Sequence, residues 1–204
     1  MDVRDRAKLQ PAGAQGPDPE RELLARAVQG DEAAVRDLFR RHVEKLYRHA
    51  ARILGADDAD VEDVVQQAFL AALAGGANFD GRSSVATWLF GITTRRALDA
   101  ARSRWRRQRW TRVAEGLGLS PQAAPAPDRG MELRSEAEAM LAGLVPDQRL
   151  VFLLHDVEGY TFAEISAVTG IGISSLHARL ASARKKLDRL AAERGQRAER
   201  GEDD

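Results

Sequence analysis

Three stretches of this chain carry side chains in patterns that could act on another macromolecule. Residues 82–112 hold nine arginines and one acid, Asp99, for a local net charge of +8. Guanidinium groups at that density suit a polyanion, because each can pair with a phosphate and release its counterions. Residues 57–63 hold Asp57, Asp58, Asp60, Glu62 and Asp63 without a base. The whole chain has 31 basic and 31 acidic residues, so a formal charge of zero hides two blocks of opposite sign.

The third stretch, Tyr160–Leu187, reads YTFAEISAVTGIGISSLHARLASARKKL. Thr161 and Glu164 have capping-box spacing, in which hydroxyl and carboxylate each satisfy a backbone amide of the other residue. Ile165 and Val168 face a core, and Gly170 stands where a short helix must end left-handed. Ile173 is expected to plug the turn and Ser174 to cap a second helix. On that helix Leu176, Leu180, Ala183, Leu187 and Leu190 form a seam. Ser175, His177, Ala178, Arg179 and Ser182 point away from it. Short and basic side chains at the start of a second helix suit the major groove. An ordinary helical hairpin is the competing reading, since capping boxes alone say nothing of DNA.

Helices must position these groups. From Asp31, a plausible N-cap, Val35, Leu38, Phe39, Leu46, Tyr47, Ala50, Ile53 and Leu54 recur at three- and four-residue steps until Gly55. Asp60 can cap the next helix, which buries Val61, Val64, Val65 and Ala68 and stops at Gly75-Gly76. Ser84 can cap a third, through Val85, Trp88, Leu89 and Ile92 into the arginines. No alternating strand pattern competes. The fold class is all-α: two small helical domains joined by a flexible linker, the C-terminal one a helix-turn-helix. The expected boundaries are a disordered extension over 1–20, a first domain over 21–112, a Pro/Ala/Gly-rich linker over 113–130, a second domain over 131–193 and a charged, frayed tail over 194–204. With no cysteine there is no disulfide, which fits a cytoplasmic home. No apolar stretch reaches membrane-spanning length.

At this point three segments, in order, resemble one family, the RNA polymerase sigma factors of the sigma-70 type. Val61–Leu70 (VEDVVQQAFL) resembles their polymerase-gripping helix. Phe79–Arg107 (FDGRSSVATWLFGITTRRALDAARSRWRR) resembles their promoter −10 recognition and melting segment, and Leu144–Leu187 their −35 reading domain. The short linker is similar to that of the extracytoplasmic-function (ECF) subfamily. The resemblance implies a non-catalytic specificity subunit with core RNA polymerase and promoter DNA as partners, an anti-sigma factor holding it inactive, and no cofactor, metal or small-molecule substrate. It implies polymerase binding by Asp63, Gln66 and Phe69; Asp63, Gln66, Gln67 and Leu70 share one exposed sector of the helix, while Phe69 also suits the core. It implies −10 contacts by Arg82, Ser83 and Ser84, whose loop would hold an extruded base, and by Arg95, Arg96, Arg102 and Arg106. Trp88 joins that set, although its place beside Leu89 and Ile92 suits a core tryptophan better. The −35 set is Ser174, Ser175, His177, Ala178, Arg179, Arg184 and Lys185. Where the family usually has asparagine, proline and lysine, this chain has Arg95, Gly172 and His177, which bears on the bases read.

Two rival readings differ in class. A helix-turn-helix regulator acting without polymerase would need a dimer seam or ligand pocket, and no sustained heptad offers one. A magnesium-dependent enzyme could use Asp57, Asp58, Asp60 and Asp63, but acids at a helix start are ordinarily dipole compensation. No nucleophile constellation or phosphate loop accompanies them.

Overall fold

A computed structural model describes residues 18–55, 59–116 and 136–199 of the chain. All elements among them are helical. Helix α1 spans Pro19–Val28, α2 Glu32–Leu54, α3 Asp60–Gly75 and α4 Val85–Gly116. Helix α5 spans Glu136–Ala142 and α6 Pro146–Phe152, prolonged by a π-turn over Leu153–Val157. Helices α7, Phe162–Thr169, and α8, Ile173–Glu199, complete the order. The extension up to residue 17, the acids Asp57 and Asp58, most of the expected linker and the last five residues lie outside the described residues.

The helix starts follow local chemistry. Asp18 accepts from the Glu20 amide at 3.0 Å, with Pro19 at the first helical position. Asp31 accepts from Ala33 and Ala34 at 2.9 and 3.2 Å. Ser84 accepts from the Thr87 amide at 3.0 Å, capping α4 as the sequence predicts. Two expected caps are corrected. Asp60 is the first residue of α3, and the N-cap position holds Ala59, which makes no side-chain cap. Asp60, Glu62 and Asp63 instead set negative charge against the helix N-terminus. In the second half, α8 begins one residue before Ser174, at Ile173. Ser174 is therefore inside the helix, and Ile173 is 47% exposed. The half-buried Ile171 packs against the core in its place.

The α2 stripe is also shifted. Its buried face runs Ala34, Leu38, His42, Leu46, His49, Ala50, Ile53 and Leu54, while Phe39 and Tyr47 are each 43% exposed. Two histidines occupy core positions where the pattern of apolar residues shows none. Gly75 and Gly76 end α3 without left-handed backbone. Gly76 supplies room: a Cβ there would stand 2.4 Å from Val28 Cγ2.

Helices α1–α4 pack around Leu24, Leu38, Val61, Val85 and Leu89, and α6–α8 around Leu150, Leu154, Ile165, Leu176 and Leu180. Burying each leucine contributes about 1.5–3 kcal/mol. These sets form one contiguous apolar cluster. Phe90 of α4 lies 5.8 Å, centroid to centroid, from Tyr160 before α7. The terminal helices outrun the expected boundaries: α4 extends to Gly116 rather than 112, and α8 to Glu199, so the supposed frayed tail begins as helix.

Candidate nucleic-acid interface and docking groove

The side chains of α3 separate cleanly. Val61, Val64, Val65 and Ala68 are buried, and Asp63, Gln66, Gln67 and Leu70 are exposed. Phe69 is only 6% exposed, but its ring meets that of the half-exposed Phe39 at 4.8 Å. Together with Val35, Leu38, Leu70 and Leu73 they line a groove of about 290 Å³, with Gln66 and Arg36 at its edge. An apolar trough bordered by an amide and an arginine suits an amphipathic helix of a partner protein. Leu70 is the sequence signal for it, a large apolar residue on an otherwise polar face, whereas Phe39 is expected on the buried stripe of α2.

The loop before α4 is tightly shaped. Asp80 accepts from the Arg82 amide at 3.0 Å and from Arg82 Nε at 2.5 Å. That amide, followed by the guanidinium, holds the Asp80 carboxyl below its ordinary pKa. Arg82 is exposed, and Ser83 and Ser84 are half-buried. Trp88 is half-buried, packed against the core with its ring 5.2 Å from Phe79.

The arginines of α4 divide by task. Arg96, Arg106, Arg107 and Arg109 are exposed, with Arg109 5.6 Å from the Trp105 ring. Trp110 is 73% exposed. Arg104 donates to the Leu54 carbonyl at 2.9 Å, satisfying the end of α2. Arg95 and Arg102 turn toward the second half. Arg95 Nη1 donates to the Val168 carbonyl at 2.7 Å. Arg102 grips Asp147 at 2.5 and 3.1 Å.

The second half meets them with the Val168 carbonyl and the Asp147 carboxylate. Its Thr161–Glu164 capping box and left-handed Gly170 stand as predicted. On α8, Leu176, Leu180 and Ala183 are buried, while Ser174, Ser175, His177, Ala178, Ser182 and Lys185 are exposed. Arg179 departs from the expected outward direction: it is half-buried and forms an ion pair with Asp147 at 3.1 Å. Arg184 is engaged by Asp156 at 2.6 and 2.8 Å. His177 lies against Phe162 at 3.8 Å, and Phe162 against His155 at 4.3 Å. Periodicity places a residue on a face; it does not reveal a partner from a distant segment.

Asp147 thus holds one arginine from α4 and one from α8. Burial pushes its carboxyl up, but the Arg102 hydrogen bonds and the charges of Arg102 and Arg179 outweigh that and hold it below its ordinary value. Glu158 behaves oppositely. Burial raises it, against a 2.9 Å bond from Arg52. Arg149 donates to the Arg52 carbonyl at 3.0 Å. Asp147, Glu158, Arg52 and Arg149 were not visible as functional in the sequence.

Comparison with known proteins gives the following. The family model for Sigma-70 region 2 matches residues 38–107, and that for Sigma-70, region 4 matches residues 134–187. The chain is 32% identical over 171 residues to the ECF RNA polymerase sigma factor SigM of Mycobacterium tuberculosis, covering 83% of each protein. It is 33% identical over 182 residues to the RNA polymerase sigma factor CnrH of Cupriavidus metallidurans, covering 85% of this chain and 94% of that one. The solved structure of CnrH in complex with the cytosolic domain of CnrY superposes with a TM-score of 0.54 at 28% identity, over 86% of this chain and 99% of that one.

Proposed function

The chain belongs to the ECF sigma factors of the sigma-70 family, and from that premise we propose how its surfaces divide the work of transcription initiation. The exposed face of α3, with Asp63, Gln66 and Gln67, and the adjoining groove over Phe69 grip core RNA polymerase. The loop carrying Arg82, Ser83 and Ser84 takes up a base of the separated −10 strand. Arg96 and Arg106 hold phosphates along α4, joined by Arg95 and Arg102 once these are released. Helix α8 reads the −35 duplex with Ser174, Ser175, His177, Ala178 and Arg179, and Arg184 and Lys185 hold its backbone. The protein is a non-catalytic subunit acting in the cytoplasm, with the two domains expected from the sequence and their last helices running on to Gly116 and Glu199. CnrH is solved in complex with the cytosolic domain of CnrY, and an anti-sigma factor, the partner that the family resemblance implies, is a further partner proposed for this chain.

One observation carries this reading. A single four-helix domain presents an acid-amide face beside an apolar groove and, separately, a serine loop feeding an arginine-rich helix. A regulator working without polymerase has no use for the first surface. The same geometry supports an order of events. Arg102 and Arg179 are half-buried and paired with Asp147 between the two halves, and Arg95, though exposed, is tied to the Val168 carbonyl, so their full use on DNA calls for these contacts to release. Polymerase engagement, through surfaces left open, would come first.

The test is gel filtration with core RNA polymerase, followed by run-off transcription on a genomic library. The chain should co-elute and start transcripts at defined sites. The Asp63→Ala/Gln66→Ala variant should lose both while keeping its helical circular dichroism. Unchanged co-elution of that variant would remove the polymerase assignment.

A further inference from the structure

The loop ahead of α4 is held from outside its own domain segment. Gly81 has φ +69°, a left-handed conformation that turns the chain between Asp80 and Arg82. Its carbonyl accepts a hydrogen bond from Arg21 Nη2 of α1, 60 residues earlier. The packing is close: a Cβ on Gly81 would stand 2.7 Å from Arg21 Nη1. The same guanidinium lies 5.9 Å from the centre of the Phe79 ring, which in turn packs on Trp88. Arg21 is itself steadied by Asp18, the N-cap of α1, at 3.4 Å.

Among the side-chain hydrogen bonds of the described residues, those shaping the loop other than Arg21's are short-range in sequence. Asp80 holds Arg82, and Ser84 caps the helix that follows. Those contacts fix the curvature of the loop but not its position on the domain. The Arg21 bond and its cover over Phe79 supply that position. We propose that Arg21 is a positioning residue for strand opening: it anchors the Phe79–Ser84 loop so that Arg82, Ser83 and Ser84 face the separated strand. The inference rests on the reading that this loop takes up an unpaired base.

The experiment compares holoenzymes on a linear promoter duplex chosen from the run-off products. Strand opening is followed by permanganate reactivity of unpaired thymines, and duplex binding separately at several salt concentrations. Arg21→Met keeps the apolar stem and removes the donor, Arg21→Lys keeps a donor and the charge, and Arg82→Ala/Ser83→Ala/Ser84→Ala removes the proposed base contacts. A charge-assisted hydrogen bond is strong enough that Arg21→Met should slow opening by roughly tenfold or more. Duplex binding and its salt slope should be unchanged. Arg21→Lys should recover much of the rate. Adding Arg21→Met to the triple variant should cost little more, because the loop has no contacts left to position.

Other outcomes separate the possibilities. If the triple variant fails to open but Arg21→Met opens normally, the anchor is refuted and the base-holding loop stands. Normal opening by both refutes the reading beneath it. A salt slope reduced by about one unit in Arg21→Met makes Arg21 a phosphate contact and overturns the proposal. So does equal slowing by Met and Lys together with lost polymerase binding, which marks α1 as a general prop. Should Arg21→Met not fold, Gly81→Ala decides, because its Cβ displaces the same guanidinium; normal opening in that variant overturns the inference.

Discussion

Asp147 and Arg102 stand 45 residues apart in the chain and are joined by two hydrogen bonds of 2.5 and 3.1 Å, with Arg179 closing on the same carboxylate at 3.1 Å. One acid therefore clasps two helices that the proposed function sends to different parts of a promoter. Asp147→Ala should loosen this arrangement by about 1–2 kcal/mol, since both partners keep some contact with water. The chain has no native cysteine, so cysteines placed at exposed Ala25 and Ala181 would carry a fluorophore pair. Energy transfer between them should fall in the variant. An unaltered distance distribution would mean that the apolar contact alone sets the arrangement.

The arginines of α4 should separate by salt dependence. Arg96→Ala and Arg106→Ala in holoenzyme should each lower the slope of log affinity against log salt by about one unit. Arg104→Ala should leave the slope unchanged and lower thermal stability, because its guanidinium completes α2 at the Leu54 carbonyl. A slope change for Arg104 would show that it leaves that carbonyl for DNA.

His49 should make the fold acid-sensitive. Its Nε2 lies 2.8 Å from Thr94 Oγ1, and that hydroxyl donates its proton to the Phe90 carbonyl. The imidazole must therefore donate from Nε2, leaving Nδ1 as a buried lone pair without a partner. A proton there would meet no acceptor. Burial, aided by the Arg52 charge, depresses the pKa to about 3. Between that value and the ordinary 6.5 the unfolded chain takes up a proton that the folded one refuses, so stability falls as pH falls. At pH 5 the loss should be about 2 kcal/mol. Melting curves of wild type and His49→Gln from pH 7.5 to 5 check it: the variant should lose less.

The two glycines closing α3 should respond differently to alanine. At Gly76 a Cβ would overlap Val28 Cγ2, so Gly76→Ala should cost about 1–3 kcal/mol. At Gly75 nothing lies within 4 Å, and Gly75→Ala should be neutral or slightly stabilising. Denaturant midpoints of the two variants decide it.

These glycines also show where sequence reasoning ended. A glycine pair after an apolar stripe predicted the end of α3, and the helix ends there, but the need is space for α1 rather than left-handed backbone. The capping box, the left-handed Gly170 and the α8 seam were legible because each is written within a few residues. The α2 face was only half legible, since His42 and His49 are polar by type and buried through distant partners, Glu20 and Thr94. The candidate DNA residues could be chosen by charge and spacing. Their partners could not, because Asp147 and Val168 reach Arg102 and Arg95 only through the folded chain.

The proposed sharing of arginines between Asp147 and DNA has a consequence for any measured affinity. A chain whose binding-competent form is a minor population binds with its intrinsic strength multiplied by that fraction. If closure is favoured by about 3 kcal/mol, fewer than about one free molecule in a hundred is competent, and its apparent affinity for a promoter is weaker by the same factor. A substitution could then tighten DNA binding by two orders of magnitude without adding one contact to DNA, and core polymerase could do the same by holding the halves apart.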